Sequence, residues 1–310
     1  MSNILVTGGA GFIGSTLVDQ LIAQGHKVTV LDNLVSGCRE YINKEADFWE
    51  MDISDSELVA RVQNASFEYV YHLAAQIDVR KSVADPTFDT QVNILGGLNV
   101  LEAARQGGVS KVIMASTGGA IYGETDELPT SENAPTYPLS PYGINKLALE
   151  KYLNYYYQVY GLNYTVLRFA NVYGPRQYKG GEAGVIAIFT EAMANDKACT
   201  LYGDGKQTRD FVYVDDVVAA LIAASKIDCR GEINISTATE IDMWAMVTAI
   251  EEAAGKKLKL ELAPTRAGEQ RRSVLLNRRA LETLDWSPQI DFAEGIKRTY
   301  QWVKETQTKI

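Results

Sequence analysis

Histidine and cysteine are scarce in this chain of 310 residues, which has two of the first and three of the second. His26 and His72 are far apart in sequence, and no cysteine pair stands at metal-ligand spacing, so a metal site built from these donors is all but excluded. Cys38, Cys199 and Cys229 make an odd count, which predicts free thiols in a reducing compartment rather than a disulfide framework. Basic runs are absent too, and the net charge is −9 with a pI near 4.9. That balance argues against nucleic acid or an anionic membrane surface as a partner. No apolar stretch approaches the length of a membrane span. The first strand signal starts at Ile4, which leaves no room for a signal peptide. A soluble cytoplasmic protein is expected. Internal repeats and low-complexity segments are also missing. At 46% hydrophobic residues the chain can bury an ordinary core, in one large domain or two unequal ones.

Glycine, by contrast, is concentrated at one place. Ile4-Leu5-Val6 reads as a buried strand, followed by Thr7-Gly8-Gly9-Ala10-Gly11-Phe12-Ile13-Gly14 and then a helical pattern in Leu17, Leu21 and Ile22. Gly9, Gly11 and Gly14 fit a G-x-G-x-x-G spacing, and Gly8, Gly11 and Gly14 fit G-x-x-G-x-x-G. Strand, glycine turn and helix form the context of a dinucleotide site. Glycine lets backbone N–H groups approach a pyrophosphate, and the helix N-terminus adds a partial positive charge. A second strand at 27–31 ends in Asp32, where a carboxylate can accept hydrogen bonds from ribose hydroxyls and would repel a 2′-phosphate. The spacing therefore predicts NAD, with Arg39 and Lys44 near enough in sequence to leave NADP open.

Further strand signals fall at 47–51, 68–73, 111–116 and 164–169. Helical patterns fall at about 54–62, 86–105 and 142–160. This alternation predicts an α/β fold, a doubly wound parallel Rossmann-type sheet covered on both faces. The regular alternation weakens after Phe169. Helices are expected at 185–194 and about 214–224, a short strand at 233–235, and two or three helices in the tail ending at Trp302. A smaller C-terminal α/β substrate-binding lobe is expected. The division is 1–168 with about 210–236 for the dinucleotide domain, and about 169–209 with 237–310 for the lobe.

Ligands of such sheets bind at the carboxyl ends of the strands. The fifth strand delivers Ser116 and Thr117 to that edge. The following helix carries Tyr142 and Lys146 at i and i+4, on one face. A lysine ammonium there favours the phenolate, and a phenol tuned towards neutral pH is a competent general base for an alcohol. His72 ends a strand and reads as a satisfied structural histidine. Tyr152, Tyr155, Tyr156 and Tyr160 read as core or interface.

With these residues in place the chain resembles the extended short-chain dehydrogenases/reductases, in the branch of NAD-dependent nucleotide-sugar epimerases and dehydratases. The matching pieces are T-G-G-A-G-F-I-G at 7–14, L-D-N at 31–33, M-D-I at 51–53, H-L-A-A at 72–75, Y-G-I-N-K at 142–146, R-F-A-N-V-Y-G-P-R-Q at 168–177, G-D-G-K-Q-T-R-D-F-V-Y-V-D-D-V at 203–217 and R-A-G-E at 266–269. Within the branch it is most similar to members acting on UDP-hexoses. The resemblance implies inversion at carbon 4 of a UDP-hexose, of the glucose/galactose pair and possible for N-acetyl forms, through a 4-keto sugar and transient NADH. It implies that Gly8, Gly11, Phe12, Ile13 and Gly14 form the pyrophosphate turn, that Asp32 and Asn33 meet the adenosine ribose, and that Asp52 and Ile53 meet adenine. Leu73, Ala74 and Ala75 would line the cofactor channel, and Lys146 would hold the nicotinamide ribose. Thr117 and Tyr142 would face the sugar 4-hydroxyl, while Asn171, Arg209 and Arg266 would hold the diphosphate.

One departure concerns the catalytic hydroxyl. Counting back from Tyr122, the usual position falls on Gly118; counting forward from the strand end, it falls on Thr117. The strand end fixes geometry better, so Thr117 is expected, with Ser116 in reserve and Gly118 and Gly119 serving only the turn. Ser273, seven residues after Arg266, is expected to border the sugar pocket. Family dehydratases commonly carry an Asp-Glu pair where Gly118-Gly119 stand, which argues against dehydration. A uronic acid 4-epimerase, with Arg176 meeting the carboxylate, and a non-catalytic NAD-binding regulator are the other readings. Family members commonly pair two long helices, here 86–107 and 142–160, so a homodimer is expected.

Overall fold

The apolar runs form strands covered on both faces. The computed structural model describes residues 1–177, 184–225, 229–265 and 270–307. Strands β1 (Asn3–Thr7), β2 (Lys27–Asp32), β3 (Asp47–Glu50), β4 (Tyr69–His72), β5 (Lys111–Thr117) and β6 (Asn163–Phe169) come first. After them come β7 (Asn171–Tyr173), β8 (Cys199–Tyr202), β9 (Thr208–Arg209), β10 (Phe211–Tyr213), β11 (Gly231–Ile235), β12 (Ile241–Asp242) and β13 (Leu260–Ala263). Seven of them make one sheet in the order β11-β6-β5-β4-β1-β2-β3, parallel at every pairing. The order reverses beside β1, which opens a crevice between the ends of β1 and β4. This is the doubly wound sheet that the alternation predicts.

The period of two along each strand divides the core. Ile4, Val6, Val28 and Val30 pack with Leu17 and Leu21 of α1 (Phe12–Ala23) on one face. Leu5, Leu31 and Val112 pack with the helices of the other face. Those helices are α2 (Leu58–Ala65), α5 (Gly97–Gln106) and α7 (Pro141–Tyr160); the short α3 (Val79–Ala84), α4 (Pro86–Thr90) and four-residue α6 (Gly118–Ile121) each pack on α7. Ser140 caps α7 by accepting from Gly143 N, Pro141 opens its first turn, and Gly161 closes it at φ +74°. The remaining helices are α8 (Val185–Ala194), α9 (Val214–Ala223), α10 (Met243–Ala254), α11 (Arg278–Leu284) and α12 (Phe292–Gln307). Helix α9 packs on α1 and β11 joins the large sheet, while α8, α10 and α12 pack together. Three two-stranded sheets, β7 with β10, β9 with β12 and β8 with β13, accompany them.

Local chemistry moves several expected boundaries. The helix expected from 54 begins at Leu58, because Asp52 and Asp55 first close two turns with Ser54 N and Glu57 N. The helix expected over 86–105 is divided by a π-helical turn, Gln91–Gly96, before α5, and α3 precedes it unpredicted. The turn expected at 118–119 is the start of α6, and the last helix runs past Trp302 to Gln307. Among the described residues no helix is long and apolar enough to cross a membrane, and no acidic, histidine or cysteine cluster could hold a metal.

Candidate active site

The glycine turn is shaped by three close approaches. Gly8 adopts φ +71°, and a Cβ there would meet Ala74 N at 2.7 Å. A Cβ on Gly14 would overlap the carbonyl oxygen of Gly8. On Gly11, which stands at the N-cap of α1, a Cβ would lie 3.2 Å from the same oxygen. The backbone of β1's exit therefore passes directly beneath the start of α1. Phe12 and Ile13 form the first turn of α1, where the backbone amides have no partner within the helix. This cradle has the form that a dinucleotide pyrophosphate requires, so the residues fit NAD.

The neighbouring strand ends converge on it. Asp32, at the end of β2, accepts from Ala10 N at 3.0 Å and Leu34 N at 2.9 Å. Burial pushes its carboxyl up, against the pull of those two amides. Asn33 donates to Asp52 Oδ2 at 2.6 Å, which joins the exits of β2 and β3. Burial acts to raise the Asp52 carboxyl, but hydrogen bonds from Ser54 and Asn33 hold it below its ordinary value. Ile53 is buried against Gly96. Leu73, Ala74 and Ala75 follow β4 on the other side of the crevice, and Ala74 N donates to Thr7 Oγ1. Arg39, one of the two cations near Asp32 in sequence, is paired with Glu50 on the exposed surface.

Strand β5 and helix α7 supply the acid–base groups. Thr117 ends β5 half-buried at the same edge as Gly8 and Leu73. Ser116 points to the other side, where it is buried and donates to Glu150 Oε1 at 2.7 Å. The two hydroxyls thus part company: Ser116 is built into the core and Thr117 is left at the edge. Tyr142 is half-buried in the first turn of α7, and its backbone N–H donates to Ser82 Oγ. Lys146 is buried one turn later and donates to Ala115 O at 3.1 Å. Burial lowers its ammonium to about 8, with Asp89 and Glu150 pulling it back up. His72 is the satisfied histidine expected: its Nδ1 lies 2.8 Å from Thr7 Oγ1, and burial holds its ring neutral, down to about 3, with Lys146 adding to the effect.

A separate cleft of ≈ 760 Å³ is lined by Asn171, Tyr202, Gln207, Arg209 and Phe211 among others. Asn171 and Arg209, separate in sequence, meet here because β7 pairs with β10 and the chain between β9 and β10 is a single residue. That residue, Asp210, accepts from Thr237 N, Thr237 Oγ1 and Ala238 N, and burial pushes its carboxyl up to about 6. Arg266 lies outside the described residues. Ser273 is buried in a segment held at both ends: Arg271 O accepts from Thr208 N, and Val274 O accepts from Thr130 N. Leu275 of that segment fills the space that a Gly118 side chain would need. Gly118 therefore serves packing rather than a turn.

Arg176, the residue suggested for a uronic acid carboxylate, forms an ion pair with Asp19 of α1 at 2.8 Å and lies near the Tyr41 ring. Other residues of the site gave no expectation. Asp89 is wholly buried and accepts from Gln76, Asn93 and Asn145, which fixes the start of α7 against α4. Glu150 pairs with Arg168 at 2.6 Å inside the core. Its place at i+8 from Tyr142, on the same helix face, was the signal that could have revealed it.

Comparison with known proteins fits this geometry. Residues 4–236 match the NAD dependent epimerase/dehydratase family. A UDP-glucose 4-epimerase of Mycolicibacterium smegmatis is 46% identical over 306 residues, 97% of this chain and 98% of that protein. The crystal structure of a UDP-glucose 4-epimerase from Thermotoga maritima with UDP-glucose has a TM-score of 0.96 at 46% identity, covering 98% of this chain and 99% of that one. A Thermus thermophilus UDP-glucose 4-epimerase complexed with NAD has a TM-score of 0.93 at 44% identity, covering 97% and 99%. By fold and by sequence, the chain belongs to the NAD dependent epimerase/dehydratase family.

Proposed function

We propose that this protein interconverts UDP-glucose and UDP-galactose, a step of galactose metabolism, by NAD-dependent inversion at carbon 4, with turnover of the N-acetyl sugars as well. The observation that supports the reading is that the glycine cradle, the end of β5 at Thr117, and Lys146 of α7, which donates to Ala115 O one turn after Tyr142, share the carboxyl edge of one parallel sheet. When bound, NAD takes up and returns the two electrons and the hydrogen of carbon 4. Tyr142 removes the 4-hydroxyl proton as a phenolate and returns it, with Thr117 hydrogen-bonded to the same oxygen. Lys146 holds the nicotinamide ribose and favours the phenolate by its charge. Asn171, Arg209 and Arg266 anchor the diphosphate while the 4-keto sugar turns over and presents its other face. The glycine turn, Asp32, Asn33, Asp52, Ile53 and the 73–75 segment hold the cofactor.

Residues 1–168 with about 210–236 form the cofactor unit in this reading, and about 169–209 with 237–310 the nucleotide-sugar unit. Tyr152, Tyr155 and Val159 of α7 leave an exposed apolar stripe at i, i+3 and i+7. A second copy of the chain covers it in a homodimer; a monomer by light scattering at micromolar concentration would contradict this. Three free cysteines accord with a cytoplasmic location.

The test is product analysis with UDP-galactose, UDP-N-acetylgalactosamine and UDP-galacturonate. Conversion of the first is expected, and bound NAD with no turnover of any of them would refute the reading. Tyr142→Phe should slow the chemical step by roughly 10²–10⁴-fold with NAD still bound. Thr117→Ala should cost more than Ser116→Ala; the reverse would move the catalytic hydroxyl to Ser116.

A further inference from the structure

Helix α7 carries a third ionisable group in line with Tyr142 and Lys146. Glu150 stands one turn beyond Lys146 and is 0% exposed. Arg168 grips it with two hydrogen bonds, Nε to Oε1 at 3.1 Å and Nη2 to Oε2 at 2.6 Å. Ser116 Oγ supplies a third, to Oε1 at 2.7 Å. The arginine's remaining arm donates from Nη1 to Tyr122 OH at 2.9 Å, and Tyr122 donates to Asn234 Oδ1 at 2.8 Å. Asn234 then donates to Thr130 O at 3.0 Å. Every side chain of this network is buried.

A buried ion pair is a poor way to gain stability, since apolar residues of the same volume often do as well or better. Its position suggests another use. Lys146 holds the carbonyl of Ala115 and Glu150 holds the hydroxyl of Ser116, so α7 grips two successive residues of β5 just before Thr117. The distance from Thr117 to Tyr142 depends on how β5 sits against α7, and both grips set it.

We propose that Glu150 and Arg168 are a positioning pair for the reaction, fixing the end of β5 against α7 so that Thr117 and Tyr142 are held together on one substrate oxygen. The inference rests on the reading of Tyr142 and Lys146 as the proton-transfer groups. The pair also touches their electrostatics. Lys146 is faced by Asp89 from α4, by Glu150 from α7 and by the neutral His72 from β4. Glu150 is one of the two anions that support its charge. Removing that anion makes Lys146 lose its proton at lower pH, and the phenolate loses its cation with it.

The test compares full-length wild type, Glu150→Gln, Ser116→Ala and Tyr142→Phe, each with NAD bound and UDP-galactose as substrate. In Glu150→Gln, kcat should fall roughly 10–100-fold, the effect of misplacing reacting groups by about an ångström. KM should stay near the wild-type value, and the alkaline limb of the pH–rate profile should move to lower pH. A folded Glu150→Gln with unchanged kcat overturns the proposal, as does a lower kcat with the alkaline limb unmoved, which marks a merely structural role. Ser116→Ala leaves the ion pair intact and cuts only its link to β5. If Glu150→Gln does not fold, Ser116→Ala decides: a reduced kcat at constant KM supports the proposal, and wild-type kcat overturns it. Tyr142→Phe separates the two levels, since an active Tyr142→Phe refutes the proton-transfer reading itself, whereas an inactive one beside an unaffected Glu150→Gln refutes only the positioning pair.

Discussion

Gly118 offers a quantitative test of how the 273–276 segment is seated against the active-site strand. A Cβ there would overlap Leu275 Cδ1 and come within 3.0 Å of Cδ2. Leu275 has little room to yield. It is 2% exposed and packs with Tyr122 and Ala134. Its backbone is held as well, with its oxygen accepting from Ser236 Oγ at 3.0 Å. Gly118→Ala should gain at most about 1 kcal/mol from helix propensity, against an overpacking cost of about 1–3 kcal/mol. Net destabilisation of roughly 0.5–2 kcal/mol is expected. Leu275→Ala should cost about 2–5 kcal/mol through the cavity it leaves. In the double variant the new methyl occupies part of that cavity, so the combined loss should fall short of the sum by about 1–3 kcal/mol. Urea titrations of the four proteins at one protein concentration, with NAD saturating throughout, measure the cycle. Additivity within about 0.5 kcal/mol, or a Gly118→Ala protein as stable as wild type, would refute the packing argument.

Gly14→Ala should abolish NAD binding measured by calorimetry, because its Cβ would overlap the Gly8 carbonyl oxygen and open the turn; wild-type affinity in that variant would place the cofactor elsewhere. Ser273→Tyr should reduce turnover of UDP-N-acetylgalactosamine far more than that of UDP-galactose, since only the larger ligand would clash, and equal losses would remove Ser273 from the pocket wall. The buried His72 resists protonation down to about 3. Its unfolded form takes a proton near 6.5, so below that pH the unfolded state binds more protons and this group's stability contribution is lost at about 1.4 kcal/mol per pH unit as pH falls towards 3. Stability measured at pH 6 and pH 4.5 should therefore drop less for His72→Asn than for wild type; an equal drop would show that the ring titrates in the fold.

What the chain order determines is mostly local. The glycine turn, the end of β2 at Asp32 and the Tyr142–Lys146 face are legible because each depends on residues within one or two turns, where spacing alone sets direction. The parallel sheet is legible for a related reason, since strands that alternate with helices have few ways to pack. Boundaries shifted where side chains competed with the backbone, as at Asp52 and Asp55, whose turns delay α2. Tertiary structure alone decided what depends on contacts between distant segments. Strand alternation sends the adjacent hydroxyls of Ser116 and Thr117 to opposite sides, but only the fold sets Glu150 behind β5 as the buried partner of Ser116. Arg176 has no partner legible in the chain order, and the fold sets Asp19 beside it. Gly118 reads as a turn residue until Leu275, 157 positions later in sequence, takes the space of its side chain. Such choices turn on which groups reach one another in three dimensions, and pairs this far apart leave no periodic trace in the chain.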